Sequence, residues 1–245
     1  MKRIYLIIIV FSIQLINAQT QDLQRAKRYF DRTFYSEAIP LYENIIQGTR
    51  SVEVVKNLAD CYYYTNDYAN AQRQYRFLIE KLDKDQQEEY YFRYSQTLKA
   101  TGNYEEANAV IRDYLSNSNN KQAIDIFEKE NKDLENVTAI GNRFEIKNLA
   151  INTSNSEFGA VKQGQNLVFS AVKQKVDLFD KVYKWNNELY LDLLTVPLKN
   201  TNSTEVLPNY FSKELNTDKH EANAVFTKDG KIVYFTRNNQ KRTVT

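Results

Sequence analysis

The scarcest reactive side chains in this sequence are one cysteine, Cys61, and one histidine, His220. A serine or cysteine triad needs a histidine base held against its nucleophile. His220 falls in an expected loop, and no Gly-x-Ser-x-Gly elbow occurs anywhere in the chain. No Cys/His pair stands at metal-ligand spacing, and there is no glycine-rich phosphate loop. Neither a metal nor a cofactor is expected. Asp229 has the chemistry of a general acid or a metal ligand, but it precedes Gly230 between two apolar runs. Asp-Gly there is a hairpin signal, because such a turn needs positive φ. Cys61 lies in a helical segment, where it suits the role of a small apolar filler. The chemistry read here is recognition, and an enzyme is not expected.

The residues equipped for recognition are Lys56, Asn57, Asp60, Tyr63, Phe92, Arg93, Gln96 and Lys99. An asparagine and an arginine in one groove can clamp a peptide backbone or a carboxylate. For any single one of them the alternative is a solvated helix face.

A repeat is what would bring these eight together. A Tyr-x-x-Ala step recurs at Tyr35/Ala38, Tyr68/Ala71 and Tyr104/Ala107, with spacings of 33 and 36 residues. Twelve positions before each alanine lies a small residue, Ala26, Ala59 or Ser95. Three residues further on come Tyr29, Tyr62 and Leu98, and four after each alanine come Tyr42, Tyr75 and Ile111. In a helix pair, the small residue permits close approach and the large ones fill the groove between helices. The turns carry Thr33, Asn66 and Gly102. Asn and Gly suit the left-handed backbone that ends a helix, and threonine suits it poorly. Such pairs bury their apolar faces only by stacking. Many of the 18 tyrosines fall in this half and serve that pattern.

The pattern resembles the tetratricopeptide repeat over roughly residues 20–117. The second copy matches best, with Leu58, Ala59, Tyr62, Asp67, Tyr68, Ala71, Tyr75 and Leu78 at family-type positions. The usual glycine is missing from the first copy, and the closing proline from all three. The resemblance implies a helical solenoid whose concave side holds extended or helical peptides, with the eight residues above on its inner face. Residues 121–136 read as a further amphipathic helix whose charged side suits a cap.

After Gly141 the period changes to strand alternation. Strands are expected over Asn142–Leu149, Leu167–Phe169, Leu189–Leu198 and Ile232–Thr236, joined by polar connectors. This half repeats as well. Asn152-Thr153 matches Asn216-Thr217, Glu157 matches Glu221, and Ala160-Val161 matches Ala224-Val225, all offset by 64. Leu167–Ser170 then matches Val233–Thr236 after a two-residue insertion. A unit of that length fits a four-stranded blade with a long inserted connection. The run from Asn223 to Asn239 resembles the WD-like propeller repeat of bacterial envelope proteins. One full unit and about half of another are present, so the resemblance implies an incomplete β-propeller and the N-terminal part of a longer protein.

The first residues form a basic start at Lys2 and Arg3, an apolar stretch from Ile4 to Ile16, and a small residue, Ala18, before a plausible cut. This is the layout of a secretion signal, and the stretch is too short for a transmembrane anchor. Without Lys2 and Arg3 the formal charge of +2 falls to near neutral, which argues against nucleic acid or an anionic membrane as partner. A lone cysteine rules out an internal disulfide.

The expected organisation is therefore multidomain, α then β: a signal peptide at 1–18, three tetratricopeptide-like repeats at 19–117, a capping helix and linker at 118–140, and a partial WD-like β-propeller at 141–245. This order resembles the OmpA-family envelope proteins of Bacteroidetes, including members associated with gliding and type IX secretion. WNNELYLDL and the stretch from Asn216 to Asn239 carry the resemblance most specifically. It implies an exported periplasmic or outer-membrane-associated scaffold that binds envelope proteins through the solenoid. Peptidoglycan would be met only through a domain absent from this sequence. The alternative is a propeller-gated periplasmic hydrolase whose catalytic domain lies beyond the given chain.

Overall fold

A computed structural model describes residues 20–81, 88–117, 121–139, 145–173 and 180–238. The expected signal segment at 1–18 lies outside them. The chain divides into two compact units, the first running to Arg143 and including Lys184–Asn186, the second comprising the remainder from Phe144.

In the first unit seven helices are described: α1 (20–31), α2 (Tyr35–Gly48), α3 (Val52–Tyr64), α4 (Tyr68–Lys81), α5 (Glu88–Ala100), α6 (Tyr104–Asn117) and α7 (Lys121–Ala139). From α2 to α7 each packs on its neighbour in the chain. The repeat positions form the seam between them. Ala26, Ala38, Ala59, Ala71 and Ala107 are fully buried, and so are Tyr42 and Tyr75. Small residues let backbones approach, and the tyrosine rings fill the space beside them. Ser51 starts α3 by accepting the Val54 N–H at 3.3 Å, and Asp67 does the same for Asn70 at the start of α4 at 3.2 Å.

The three repeat turns have one geometry. Thr33, Asn66 and Gly102 take φ of 59°, 64° and 84°. The next residue donates its N–H five residues back, Phe34 to Tyr29 at 2.9 Å, Asp67 to Tyr62 at 2.9 Å and Asn103 to Leu98 at 2.8 Å. That is the bond pattern of the Schellman motif. Threonine therefore adopts the left-handed conformation despite its branched side chain, because the bonds on either side demand it.

Residues 184–186 add one large side chain to this unit. The Trp185 indole donates to the Tyr64 carbonyl at 2.7 Å and meets Tyr35 edge-on at 4.8 Å between centroids. Tyr35 and Tyr64 stack on each other at 4.9 Å. Burial in this cluster pushes the Tyr35 phenol up to about 12.

The second unit has a four-stranded antiparallel sheet in the order β1 (Glu157–Gln163), β2 (Asn166–Val172), β5 (Leu191–Pro197), β6 (Asn209–Tyr210). Between β2 and β5 the chain makes a small hairpin, β3 (Val182–Tyr183) with β4 (Glu188–Leu189). A second two-stranded sheet pairs β7 (Glu221–Phe226) with β8 (Val233–Arg237). β2 and β5 are covered on both faces. Phe169, Ala171, Leu194 and Val196 pack with Ile151 on one side; Val168 and Leu193 pack with Ala224 on the other. Double coverage is why both strands read as nearly continuous apolar runs.

The two halves of the repeat are built alike. Glu157 accepts from Thr153, through both its hydroxyl and its N–H, and Glu221 accepts from Thr217 in the same two ways. β1 and β7 both carry a bulge, between Phe158 and Val161 and between Ala222 and Val225. Gly159 (φ 63°) and Asn223 (φ 56°) sit in these bulges, again 64 residues apart. A β-carbon on Gly159 would stand 3.1 Å from the Asn223 side-chain oxygen, so glycine suits the position for space as well as for φ, while Asn223 shows that asparagine also accepts this backbone.

Two strand expectations need correction. Residues 145–149 of the expected Asn142–Leu149 strand are not in a sheet, and Ile146 is 90% exposed. Alternation alone does not make a strand where no partner offers hydrogen bonds. The Leu189–Leu198 run is divided at Tyr190, with β4 pairing to β3 and β5 to β2. β1 was not anticipated, because its residues are mostly exposed and carry little apolar alternation. The Asp229-Gly230 turn forms as expected. Asp229 accepts from the Thr227 hydroxyl at 2.6 Å and from the Lys231 N–H at 3.2 Å, and Gly230 has φ 69°.

Candidate functional site

Helix spacing aligns Lys56, Asp60 and Tyr63 on one side of α3, and Phe92, Gln96 and Lys99 on one side of α5. Asn57 and Arg93 lie one position round from these rows. The eight side chains have different fates.

Asn57 is buried and donates its amide to the Tyr42 hydroxyl at 3.1 Å. Asp60 is also buried. It accepts the Tyr75 hydroxyl at 2.8 Å and pairs with the Arg93 guanidinium at 2.5 Å. Arg93 donates further to the Tyr64 hydroxyl at 2.9 Å and to Glu89. Its guanidinium carbon lies 5.5 Å and 5.2 Å from the Tyr63 and Tyr64 ring centres, a cation–π geometry. Burial raises the Asp60 pKa against the pull of Arg93 and Tyr75. Burial opposes the charged guanidinium too, but Asp60 and then Tyr75 outweigh it and the Arg93 pKa rises. Burial pushes the Tyr75 phenol up, so it stays a donor at any ordinary pH.

Asp60 and Arg93 are one repeat apart, on α3 and α5, so their ion pair is a strut between successive copies. The clamp expected of Asn57 and Arg93 is thus already occupied within the protein. Lys56, Tyr63, Gln96 and Lys99 are half-buried, and Phe92 is 55% exposed. Lys56 lies 5.7 Å from the Tyr90 ring centre. These five are the members of the expected set that a partner can reach.

The reactive singletons are also accounted for. Cys61 is fully buried and its thiol is pushed up by burial, so it is no thiolate at neutral pH. His220 accepts the Leu191 N–H at Nδ1, 3.1 Å away, which leaves the hydrogen on Nε2. That atom is closed off and bonds to nothing among the described residues. The ring packs against Tyr183 and Tyr190 at 4.5 and 4.6 Å, and burial lowers its pKa.

Sequence reasoning missed the Trp185 anchor and the threonine–glutamate brackets. The first had a signal in the lone tryptophan, and the second in the matched pairs 64 residues apart, but neither pattern says what it contacts. No protein family and no curated protein matches this chain.

Proposed function

We propose that the protein is a non-enzymatic scaffold or adaptor of the cell envelope that grips partner proteins along α3 and α5. On this reading the helix pairs are a tetratricopeptide-type solenoid. The β1-β2-β5-β6 sheet is one blade of a WD-like β-propeller, and β7–β8 begins the next. The observation that carries the proposal is the division of labour between the two helices. The largely buried Asp60–Arg93 pair holds them at the repeat spacing, while Phe92 is exposed and Lys56, Tyr63, Gln96 and Lys99 are part-exposed. An exposed phenylalanine on the same helix face as Lys99 suits a peptide with an apolar anchor and an acidic neighbour. Export through the N-terminal leader would place these contacts in the periplasm or at the outer membrane. Envelope proteins are then the partners, in secretion or motility machinery or at the cell wall, and nucleic acid is not one.

Affinity capture from detergent-solubilised envelopes tests this. The intact protein is expected to retain a defined envelope protein, and Phe92→Ala with Lys99→Glu to retain about tenfold less, the equivalent of about 1.4 kcal/mol. Thermal unfolding of the two should coincide, since both side chains are exposed or half-exposed. Equal retention by the two proteins rejects the groove.

A further inference from the structure

The sheet unit contains a cavity of about 270 Å³, with Leu189, Tyr190 and Tyr210 among its walls. Six charged side chains line it. Four of them neutralise one another in pairs, Lys173 with Asp180 at 2.6 Å and Lys181 with Asp218 at 2.5 Å. The other two are of opposite sign. Asp192, on β5, is 93% buried, yet its carboxyl accepts no hydrogen bond among the described residues and lines the cavity. Lys213 is exposed, lines the same cavity, and pairs with no described carboxylate.

A largely buried carboxyl that takes no hydrogen bond from a described residue and lines a cavity is open to a donor on a ligand, since polar groups taken from water are normally hydrogen-bonded. An ammonium group supplies charge as well as hydrogen bonds. Lys213, exposed at the same cavity, offers a cation to an anionic group on the same molecule. The cavity is of a size for a single amino acid or a very short peptide, below the usual range of drug-sized pockets.

We infer that this cavity is a binding site for a small zwitterion, an α-amino acid or short peptide, with its ammonium on Asp192 and its carboxylate on Lys213. The site stands independently of the groove on α3 and α5.

Its charge environment gives the binding a pH signature. Burial lifts the Asp192 pKa to about 7; Glu221 on β7 and Asp180 push the same way, and Lys173 at the end of β2 opposes them. An ammonium selects the ionised carboxyl, so binding releases a proton below neutrality. Affinity should rise about tenfold from pH 6 to pH 8 and level off above that.

Calorimetry on the intact chain with L-alanine, L-leucine and L-alanyl-L-alanine tests the site, and the three probes separate free amino acids from peptides. N-acetyl-L-alanine lacks the ammonium and is expected not to bind. L-alaninamide lacks the carboxylate and is expected to bind more weakly than alanine. Asp192→Asn should abolish binding and its pH dependence while the protein stays folded by circular dichroism. If no zwitterion binds at millimolar concentration, if N-acetylalanine binds as well as alanine, or if Asp192→Asn binds unchanged, the inference is overturned.

Discussion

Thr33 is the one branched residue among the three left-handed turn positions, at φ 59°. A β-branched side chain is strained there, and glycine is not. Thr33→Gly should stabilise the protein by about 1 kcal/mol despite the added freedom of the unfolded chain, read as a higher midpoint in urea. The same change at an ordinary helix position would destabilise. Asp192 gives a prediction of opposite character. Its pKa lies near 7 in the folded protein and near 3.9 in an unfolded chain. Between those values the folded state holds more protons, so stability falls as pH rises from about 4 to about 7. Asp192→Asn removes that dependence. Its gain over the parent protein should be larger at pH 8 than at pH 5, and denaturation at the two values measures it.

Between elements, buried charges decide which contacts matter. Arg93→Ala would strand the Asp60 carboxylate between α3 and α5, at a cost of about 3–5 kcal/mol. Replacing both partners with neutral residues of similar shape, Asp60→Asn with Arg93→Leu, should recover much of that. In the sheets, Glu221 is fully buried and bonded to Arg237 at 2.7 Å as well as to Thr217. Glu157 occupies the corresponding place but is only half-buried, and Ala171 lies across from it where Arg237 lies across from Glu221. Glu221→Ala should therefore destabilise by about 2 kcal/mol more than Glu157→Ala, by equilibrium denaturation of each. The sequence shows the 64-residue offset of these residues plainly. It does not show that the second copy gained an arginine partner, because that partner comes from another strand.

At the scale of the whole molecule, legibility follows the range of the interactions. The helix pairs were readable since their contacts recur every 33 to 36 residues, and three aligned copies of a small residue and a large one mark a seam. The Asp-Gly hairpin was readable because its bonds close within six residues. Residues 145–149 misled, since a strand depends on a neighbour that alternation cannot guarantee. The repeat resemblance put eight residues on α3 and α5, but only side-chain partners separate Asn57, Asp60 and Arg93, which bond within the protein, from the accessible five. The proposed export rests on the sequence of residues 1–18, a basic start followed by an apolar stretch. Mass spectrometry of protein recovered from the envelope fraction should find a chain beginning at Gln19, and an intact Met1 in the soluble cytosolic fraction would refute export.

The chain has one tryptophan, and that indole touches two stacked phenols, Tyr35 and Tyr64. Light absorbed by nearby tyrosines will pass to it, so the indole emission reports on the packing around Tyr35 and Tyr64. Loosening α2 from α3 would shift that emission to the red while leaving the absorbance of the other rings almost unchanged, giving a label-free optical gauge of one joint in the protein.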